Sequence, residues 1–566
     1  MKLIVAPPGA GKTRTLVEQI NQEITDGVSP YRILATTFSR EGARELSERL
    51  GGDVTVRTVH SAALWVLRIA SRARGERPPQ VLPADKAALL LERAMREVDA
   101  KFIELPQAQA EIAYVRERGG AITALHPTVA RIAERYFQLL REENLIDFTG
   151  ILEAARRELA DAELQAFLRG MHLFVDEAQD LNPLTEWPVL DGFRAVAEAF
   201  LMMASPSQQI YGFKGADWEK LVARLPEETE TCALSHNYRS TPEIIEASRK
   251  LAGPDSRHML AVRASLQAPV MVVECLDAGM EVDYIGRAIN GWRTAGIPAE
   301  EIAILTRSHN LQYAIQQMLR ERDIPYSLVG ERPDFFQRAE IRGFGGYLEL
   351  ALDPDNGAAL EQVINFPPVG IGVRMRYRLR GDGLLTWKHL EEALEQRDGF
   401  PQPARARMAR LLAFREASAA SFANGGPLPQ KLERLLALTE IPDYLLGEGD
   451  SQGLHAVQEL IASAVEFPTA EQFGAYLATE VRRPLAPLGI QLSTLHAAKG
   501  REWRAVILPH FQDGILPLRK MSEREEQNLA FVGLTRARDF LTITLSRPAR
   551  PSPFLAGMAV EVRQWP

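Results

Sequence analysis

Short apolar runs recur along the chain, and most of them stop abruptly at a polar stretch. Residues 3–5, 32–36, 54–57, 200–203 and 231–234 each have the length and hydropathy of one buried strand. Segments with a helical period separate them. Residues 14–23 read as a helix, and Ala43, Leu46 and Leu50 fall on one helical face. Strands that alternate with helices predict a parallel sheet covered on both sides. The rhythm returns at residues 270–275, 302–306, 327–329, 491–495, 505–508 and 541–545, which predicts a second sheet. The fold class is therefore α/β, with two doubly wound lobes. Ligands of such sheets bind beyond the carboxyl ends of the strands. The polar stretches thus predict one functional edge per lobe, the two edges facing each other across a bound ligand.

Two segments break the rhythm. Residues 72–145 are mainly helical, with Val129, Ile132, Ala133, Tyr136, Phe137 and Leu140 on one stripe after Pro127. Residues 356–487 are also helical, with Val457, Leu460, Ile461 and Ala464 on one face. The expected organisation is a first lobe at 1–71 and 146–245, interrupted by the helical insertion 72–145. A second lobe at 246–355 and 488–566 is interrupted by the insertion 356–487. Phe422-Ala423-Asn424-Gly425-Gly426-Pro427 reads as a flexible connector.

Composition narrows the class. At 566 residues the chain exceeds one hydrophobic core. No apolar run has the ~18–20 residues of a membrane span, and the amino terminus lacks a signal-peptide pattern. Two cysteines, Cys232 and Cys275, build neither a disulfide framework nor a four-thiolate metal site. A reducing, cytoplasmic setting without a membrane follows as the expectation. The net charge of −8 argues against a cationic coat for nucleic acid, but leaves room for a local groove with aromatic platforms.

The chemistry begins at Ala6-Pro7-Pro8-Gly9-Ala10-Gly11-Lys12-Thr13, between a strand and a helix. This matches the phosphate-loop pattern G-x-x-x-x-G-K-[ST], with Ala6 in place of the first glycine. Backbone amides would hold phosphates, Lys12 would neutralise the outer ones, and Thr13 would offer a hydroxyl to Mg²⁺. The complementary acids follow another apolar run, in Leu173-Phe174-Val175-Asp176-Glu177. Asp176 would hold Mg²⁺ through water and Glu177 would orient or deprotonate the attacking water. Loop and acids together point to nucleoside triphosphate hydrolysis.

The ordered stretches LFVDEAQD, QQIYGFKGA, LSHNYRST, QLSTLHAAKGREW and NLAFVGLTRAR, after APPGAGKTR, resemble the UvrD/Rep/PcrA-type helicases of superfamily 1. ILATTFSREGAREL, TVHSAALWVLR, NLIDFTGIL, IAILTRSHN, IPYSLVG, FFQRAEIRGFGGYL and PSPFLAGM extend the resemblance from Leu3 to about Met558. The run 365–372 is similar to the family's entry into its mobile accessory domain.

The resemblance implies two RecA-like lobes with parallel sheets, each interrupted by a helical accessory domain, and ATP with Mg²⁺ as cofactors. It implies that Gln208 senses the γ-phosphate, that Arg239 reaches it, and that Arg536 is an arginine finger from the second lobe. Tyr238 would stack on the base, Arg14 would flank it and Glu502 would contact the ribose. Thr37, Phe38, His60, Tyr211, Phe213, His496 and Lys499 match positions that hold single-stranded DNA. The implied activity is an ATP-dependent 3′-to-5′ DNA helicase or translocase in repair, recombination or replication. It would work on single strands and single-strand/duplex junctions, as a monomer in solution, with repair or replication proteins as possible partners.

Departures from the family pattern bear on these roles. An upstream adenine-reading segment is not expected before the first strand, so base selectivity is expected to rest on Tyr238 and Arg14 and to be loose. Ala204-Ser205-Pro206-Ser207 replaces a glycine–aspartate-rich lead, and Phe213 stands where tryptophan is common. Both insertions look small for the family, and no fused nuclease domain is expected after the last motif. Two other classes compete with a motor. A catalytically weak, DNA-binding structural subunit would not need Lys12, Glu177, Gln208, Arg239 and Arg536 together. A small-molecule phosphotransferase would share only the phosphate loop.

Overall fold

The computed structural model describes residues 1–565 except 101, 119, 330–334, 382, 396–399, 424–425, 448–450, 483–488 and 520. Asn424 and Gly425 of the expected connector, and the expected boundary at 487/488, lie outside the described residues. The chain divides into two compact units. One comprises residues 1–307 and 493–566, the other residues 308–492.

The first unit holds two parallel sheets. In the first, the spatial order is Thr55–Thr58, Ile33–Thr37, Met171–Val175, Ala197–Ala204, Lys2–Val5, Glu230–Ala233. Every neighbouring pair in it is parallel. The strand that feeds the phosphate loop is therefore flanked on both sides. Its Leu3 and Ile4 are buried on opposite faces, one in each of the two hydrophobic clusters that sandwich the sheet. In the second sheet Ile302–Thr306, Trp503–Leu508, Ala537–Ser546, Met271–Cys275 and Glu561–Trp565 are successive parallel neighbours. The last of these, EVRQW, is exposed along most of its length, so it lacks the apolar signal that marks the buried strands.

Within residues 72–145 the helices Ala84–Glu97, Leu105–Glu117 and Pro127–Glu142 pack on a small core of their own. A two-residue strand pair, Gln80–Val81 with Leu145–Ile146, closes the segment. Its stripe differs from expectation at one position. Leu139 is fully buried, whereas Phe137 stays at the margin with the Arg116 guanidinium 4.8 Å from its ring centre.

The second unit is largely helical. Its core joins Phe336, Phe344, Leu348 and Val363 to Trp387, Met408, Leu435, Val457, Leu460 and Phe473. Residues 313–329 and 335–352, which the sequence assigns to the second lobe, contribute to this core with the helical insertion because Phe335, Phe336, Ile341 and Phe344 point into it. Among the described residues no helix is long and apolar enough to cross a membrane.

Candidate nucleotide site and adjoining aromatic cluster

The phosphate loop leaves its strand with the Ala6 amide on the Ala204 carbonyl, 2.9 Å away. Gly9 and Gly11 have φ of 74° and 78°, where an L side chain is strained. Gly9 is required twice over, because a Cβ there would lie 2.8 Å from Arg239 Cβ and Asn237 Nδ2. The helix Lys12–Thr25 starts immediately afterwards, with no side-chain cap and no acidic residue in its first turn. Its free amides and positive dipole end thus face the cleft, as an anion site requires.

A cleft of about 710 Å³ within the first unit collects the expected chemistry: Lys12, Thr13, Asp176, Glu177, Gln208, Arg239 and Arg536 all line it. Lys12 is buried, and burial lowers its pKa against the attraction of Glu177 and Asp176. The Thr13 hydroxyl donates to Asp176 Oδ2 at 3.3 Å. Asp176 follows its strand with its amide on the Thr36 carbonyl, 2.8 Å away, and burial, with Glu177 beside it, pushes its carboxyl above the ordinary value. Burial opposes ionisation of Glu177 too, but Lys12 and Lys499 outweigh it and hold that carboxyl below its ordinary value. Glu177 is also one of the few non-glycine residues with positive φ, 54°, which turns it out of the strand direction. Gln208 Nε2 is buried without a hydrogen-bond partner among the described residues, a donor with no acceptor in reach.

Two guanidinium groups converge from the other side. Arg239 Nε pairs with Glu502 Oε2 at 2.5 Å, and its NH1 donates to the Thr535 carbonyl at 3.2 Å. Arg536 is only 1% exposed, yet its partners are three neutral oxygens. It donates to the Val532 carbonyl at 2.9 Å, the Arg501 carbonyl at 3.1 Å and the Thr535 hydroxyl at 3.3 Å. Burial and the neighbouring Arg239 lower its pKa strongly. A buried cation without a carboxylate partner is costly on its own and complements an anion brought into the cleft.

The residues fit a magnesium–triphosphate. Amides, Lys12, Gln208 and two arginines match the phosphates, and the adjoining Thr13 hydroxyl and Asp176 carboxylate match Mg²⁺. No cluster of three or more metal-binding side chains occurs among the described residues, and Mg²⁺ shared with phosphates needs only one or two protein ligands. Tyr238, 60% exposed, and Arg14, paired with Glu18 at 2.8 Å, stand at the rim. Glu502 is engaged by Arg239 and, at 3.7 Å, by Arg538.

Beside the cleft, four of the seven strand-binding candidates gather. Phe38 stacks on Tyr211 with ring centres 4.6 Å apart, and Phe213 and His496 complete the cluster at 6.0–6.5 Å. Phe213 is 55% exposed. His60 stands apart from them, stacked on Phe148 at 3.9 Å. Burial pushes both imidazoles down to about 4, so they are neutral near pH 7. Thr37 is buried at its strand end. Lys499 turns toward the nucleotide side: it donates to the Asp180 carboxylate and, at 2.8 Å, to the Gln208 carbonyl, with its ammonium 5.2 Å from the Tyr211 ring centre.

Sequence reasoning passed over four residues. Asn237 ties the phosphate loop to the Arg239 turn, donating to the Pro8 carbonyl at 2.8 Å and accepting the Arg239 amide at 2.9 Å. Asp180 holds Lys499. Lys214 lies 5.2–5.8 Å from the rings of Phe38, Tyr211 and Phe213, and Phe148 presents a 58% exposed ring over His60. All four sit inside stretches that carry the resemblance, the one signal that pointed to them.

The UvrD/REP helicase N-terminal domain model matches residues 1–226, and the UvrD-like helicase C-terminal domain model matches residues 232–395 and 430–548. The chain is 26% identical to DNA helicase II of Escherichia coli strain K12, over 97% of this chain and 82% of that protein. It is also 26% identical to the ATP-dependent DNA helicase PcrA of Leuconostoc citreum, over 99% and 83%. For PcrA of Staphylococcus aureus strain Mu50 the identity is 23%, over 96% and 80%. The two lobes, the cleft and these matches agree: the chain belongs to the UvrD-like helicase family.

Proposed function

We propose that this chain is an ATP-driven helicase that moves 3′ to 5′ along single-stranded DNA and opens duplex at a junction, with a role in repair, recombination or replication. One observation carries the reading: Lys12 and Thr13 line one cleft with Arg536, more than 500 residues away in the chain, and an aromatic cluster adjoins it. We assign lobes and insertions as the sequence suggests, and a monomer in the cytoplasm as the working form.

Loop amides and Lys12 bind the β- and γ-phosphates, and Thr13 and Asp176 would hold Mg²⁺. The metal would supply neutralisation of phosphate charge. Glu177 accepts the proton of the attacking water as the water oxygen bonds to the γ-phosphorus and the bond to the β–γ bridging oxygen breaks. Arg239 and Arg536 offset the charge that develops on the transferred group. Closure of the lobes on the triphosphate, and reopening after hydrolysis, would alternate the grip on stacked bases and advance the strand.

Strand displacement on 3′-tailed and 5′-tailed duplexes tests activity and polarity together. The 3′-tailed substrate should be opened and the 5′-tailed one left intact. Glu177→Gln should lower strand-stimulated hydrolysis by about 10²–10⁴-fold, the usual worth of a positioned base. A wild-type protein that binds single strands without faster hydrolysis would instead be the structural subunit.

A further inference from the structure

The loop 206–213 carries Gln208 at one end and Tyr211 and Phe213 at the other, so it spans the nucleotide cleft and the aromatic cluster. One helix holds it at both ends. Glu523–Leu534 runs directly into Thr535 and Arg536. Near its start, Glu525 accepts the Gly212 amide at 3.1 Å. One turn later, Asn528 donates to the Gln209 carbonyl at 3.0 Å and the Pro206 carbonyl at 3.5 Å. Residues three apart share a helix face, so an acceptor and a donor on one face clamp the two ends of one loop.

The helix itself is anchored to the second sheet. Glu526, fully buried, takes two short bonds from Arg307, the residue after the strand Ile302–Thr306. A displacement of the aromatic end of the loop is therefore transmitted to the same rigid element that presents Arg536. The loop's own lead, Ala204-Ser205-Pro206-Ser207, has no acidic side chain to transmit it. Neither Glu525 nor Asn528 lines the cleft.

We propose that Glu525 and Asn528 are positioning residues that couple strand occupancy at Tyr211 and Phe213 to the placement of Gln208 and Arg536, and so set the stimulation of hydrolysis by single-stranded DNA. The proposal rests on the helicase reading given above. Loss of the clamp should uncouple the two sites while leaving each intact. Coupling between two sites ordinarily amounts to about 5- to 150-fold.

The test compares wild type with Glu525→Ala, Asn528→Leu and Glu525→Gln, using oligo(dT) as the strand. ATP turnover is measured with and without oligo(dT), and strand affinity with and without a non-hydrolysable ATP analogue. Glu525→Ala and Asn528→Leu should lose about 5- to 150-fold of the stimulated rate. Basal turnover and analogue-free strand affinity should stay within about threefold. The effect of the analogue on strand affinity should shrink as well, by the factor that binding linkage makes equal to the loss in the strand's effect on analogue affinity. Glu525→Gln keeps an oxygen that accepts the Gly212 amide and should retain most of the stimulation. Basal and stimulated rates falling together would reduce the clamp to a structural brace and overturn the inference, as would unchanged stimulation in both variants. A wild type with no stimulation at all would overturn the helicase reading along with it.

Discussion

Arg536 is costly to fold, and its charge complements an anion brought into the cleft. It is buried, it borders a second guanidinium, and its three hydrogen bonds go to uncharged oxygens, two in its own segment and one on Arg501. Those bonds hold a planar fork at the wall of the cleft. Lysine has one point charge and cannot reproduce them. Arg536→Lys should therefore fall with Arg536→Ala, lowering kcat by about 10³–10⁵-fold with a much smaller change in KM for ATP. A lysine variant near wild type would show that charge alone suffices. His496 gives a second prediction. Its imidazole titrates near 4 in the fold because burial, with Arg307, Lys499 and Lys214 nearby, disfavours its charged form. The unfolded value is about 6.5, so the unfolded chain binds a proton first and stability drains as pH falls from about 6.5 toward 4. Relative to His496→Gln, wild type should lose on the order of 2–3 kcal/mol between pH 7 and pH 4.5 in urea unfolding. A gap that does not move with pH would contradict the buried, neutral imidazole. Of these residues, Arg536 was legible because its motif is contiguous. Asn237 was not, since its importance lies in where its side-chain amide points.

Elements were legible in proportion to their burial. Leu3-Ile4-Val5 and residues 302–306 announce themselves because both faces are covered, and the structure has strands there. Glu561–Trp565 was invisible because an exposed edge strand needs no apolar run. The helix Pro127–Glu142 shows a subtler limit. Periodicity gives its stripe, but Phe137 and Leu139 compete for the core, and a cation above Phe137 settles the choice. Apolar patterning alone could not assemble the aromatic cluster, since Phe38, Tyr211 and His496 belong to three loops far apart in the chain; the family resemblance named its four members, together with His60, which stands apart. The cluster carries a prediction at its own scale. Phe213 is the most exposed of its four rings, so Phe213→Ala should cost about 1–3 kcal/mol of single-strand affinity without preference for base, the worth of one stacking platform. Lys214 adds charge to the same surface, and Lys214→Ala should flatten the salt dependence by about 0.7 in log–log slope, one phosphate contact on a single strand. Titration of labelled oligonucleotides at several salt concentrations reads both. An unchanged affinity for Phe213→Ala would remove this cluster from the strand's path.

At the scale of the whole chain, the arrangement divides labour between two bodies. Every residue of the candidate cleft belongs to the unit formed by residues 1–307 and 493–566, although the chain leaves that unit for 185 residues in between. Nucleotide bound at the proposed site should therefore favour the native state of that unit alone. A ligand that binds the folded form at a hundred times its Kd stabilises it by about 2.7 kcal/mol. With Mg²⁺ and ADP at that excess, peptides from residues 1–25, 171–180, 236–241 and 499–508 should gain protection from hydrogen exchange. Those from helices Ala339–Leu352 and Leu428–Ala437, in the core of the second unit, should exchange as before. The contrast has a physical basis, because the second unit closes its own hydrophobic core around Phe344, Leu435 and Leu460 without a residue of the cleft. Equal gains in both units would mean that nucleotide energy reaches the helical unit directly. A gain confined to residues 1–25, with 499–508 unmoved, would separate the phosphate loop from the arginine-bearing half and remove the basis for a motor.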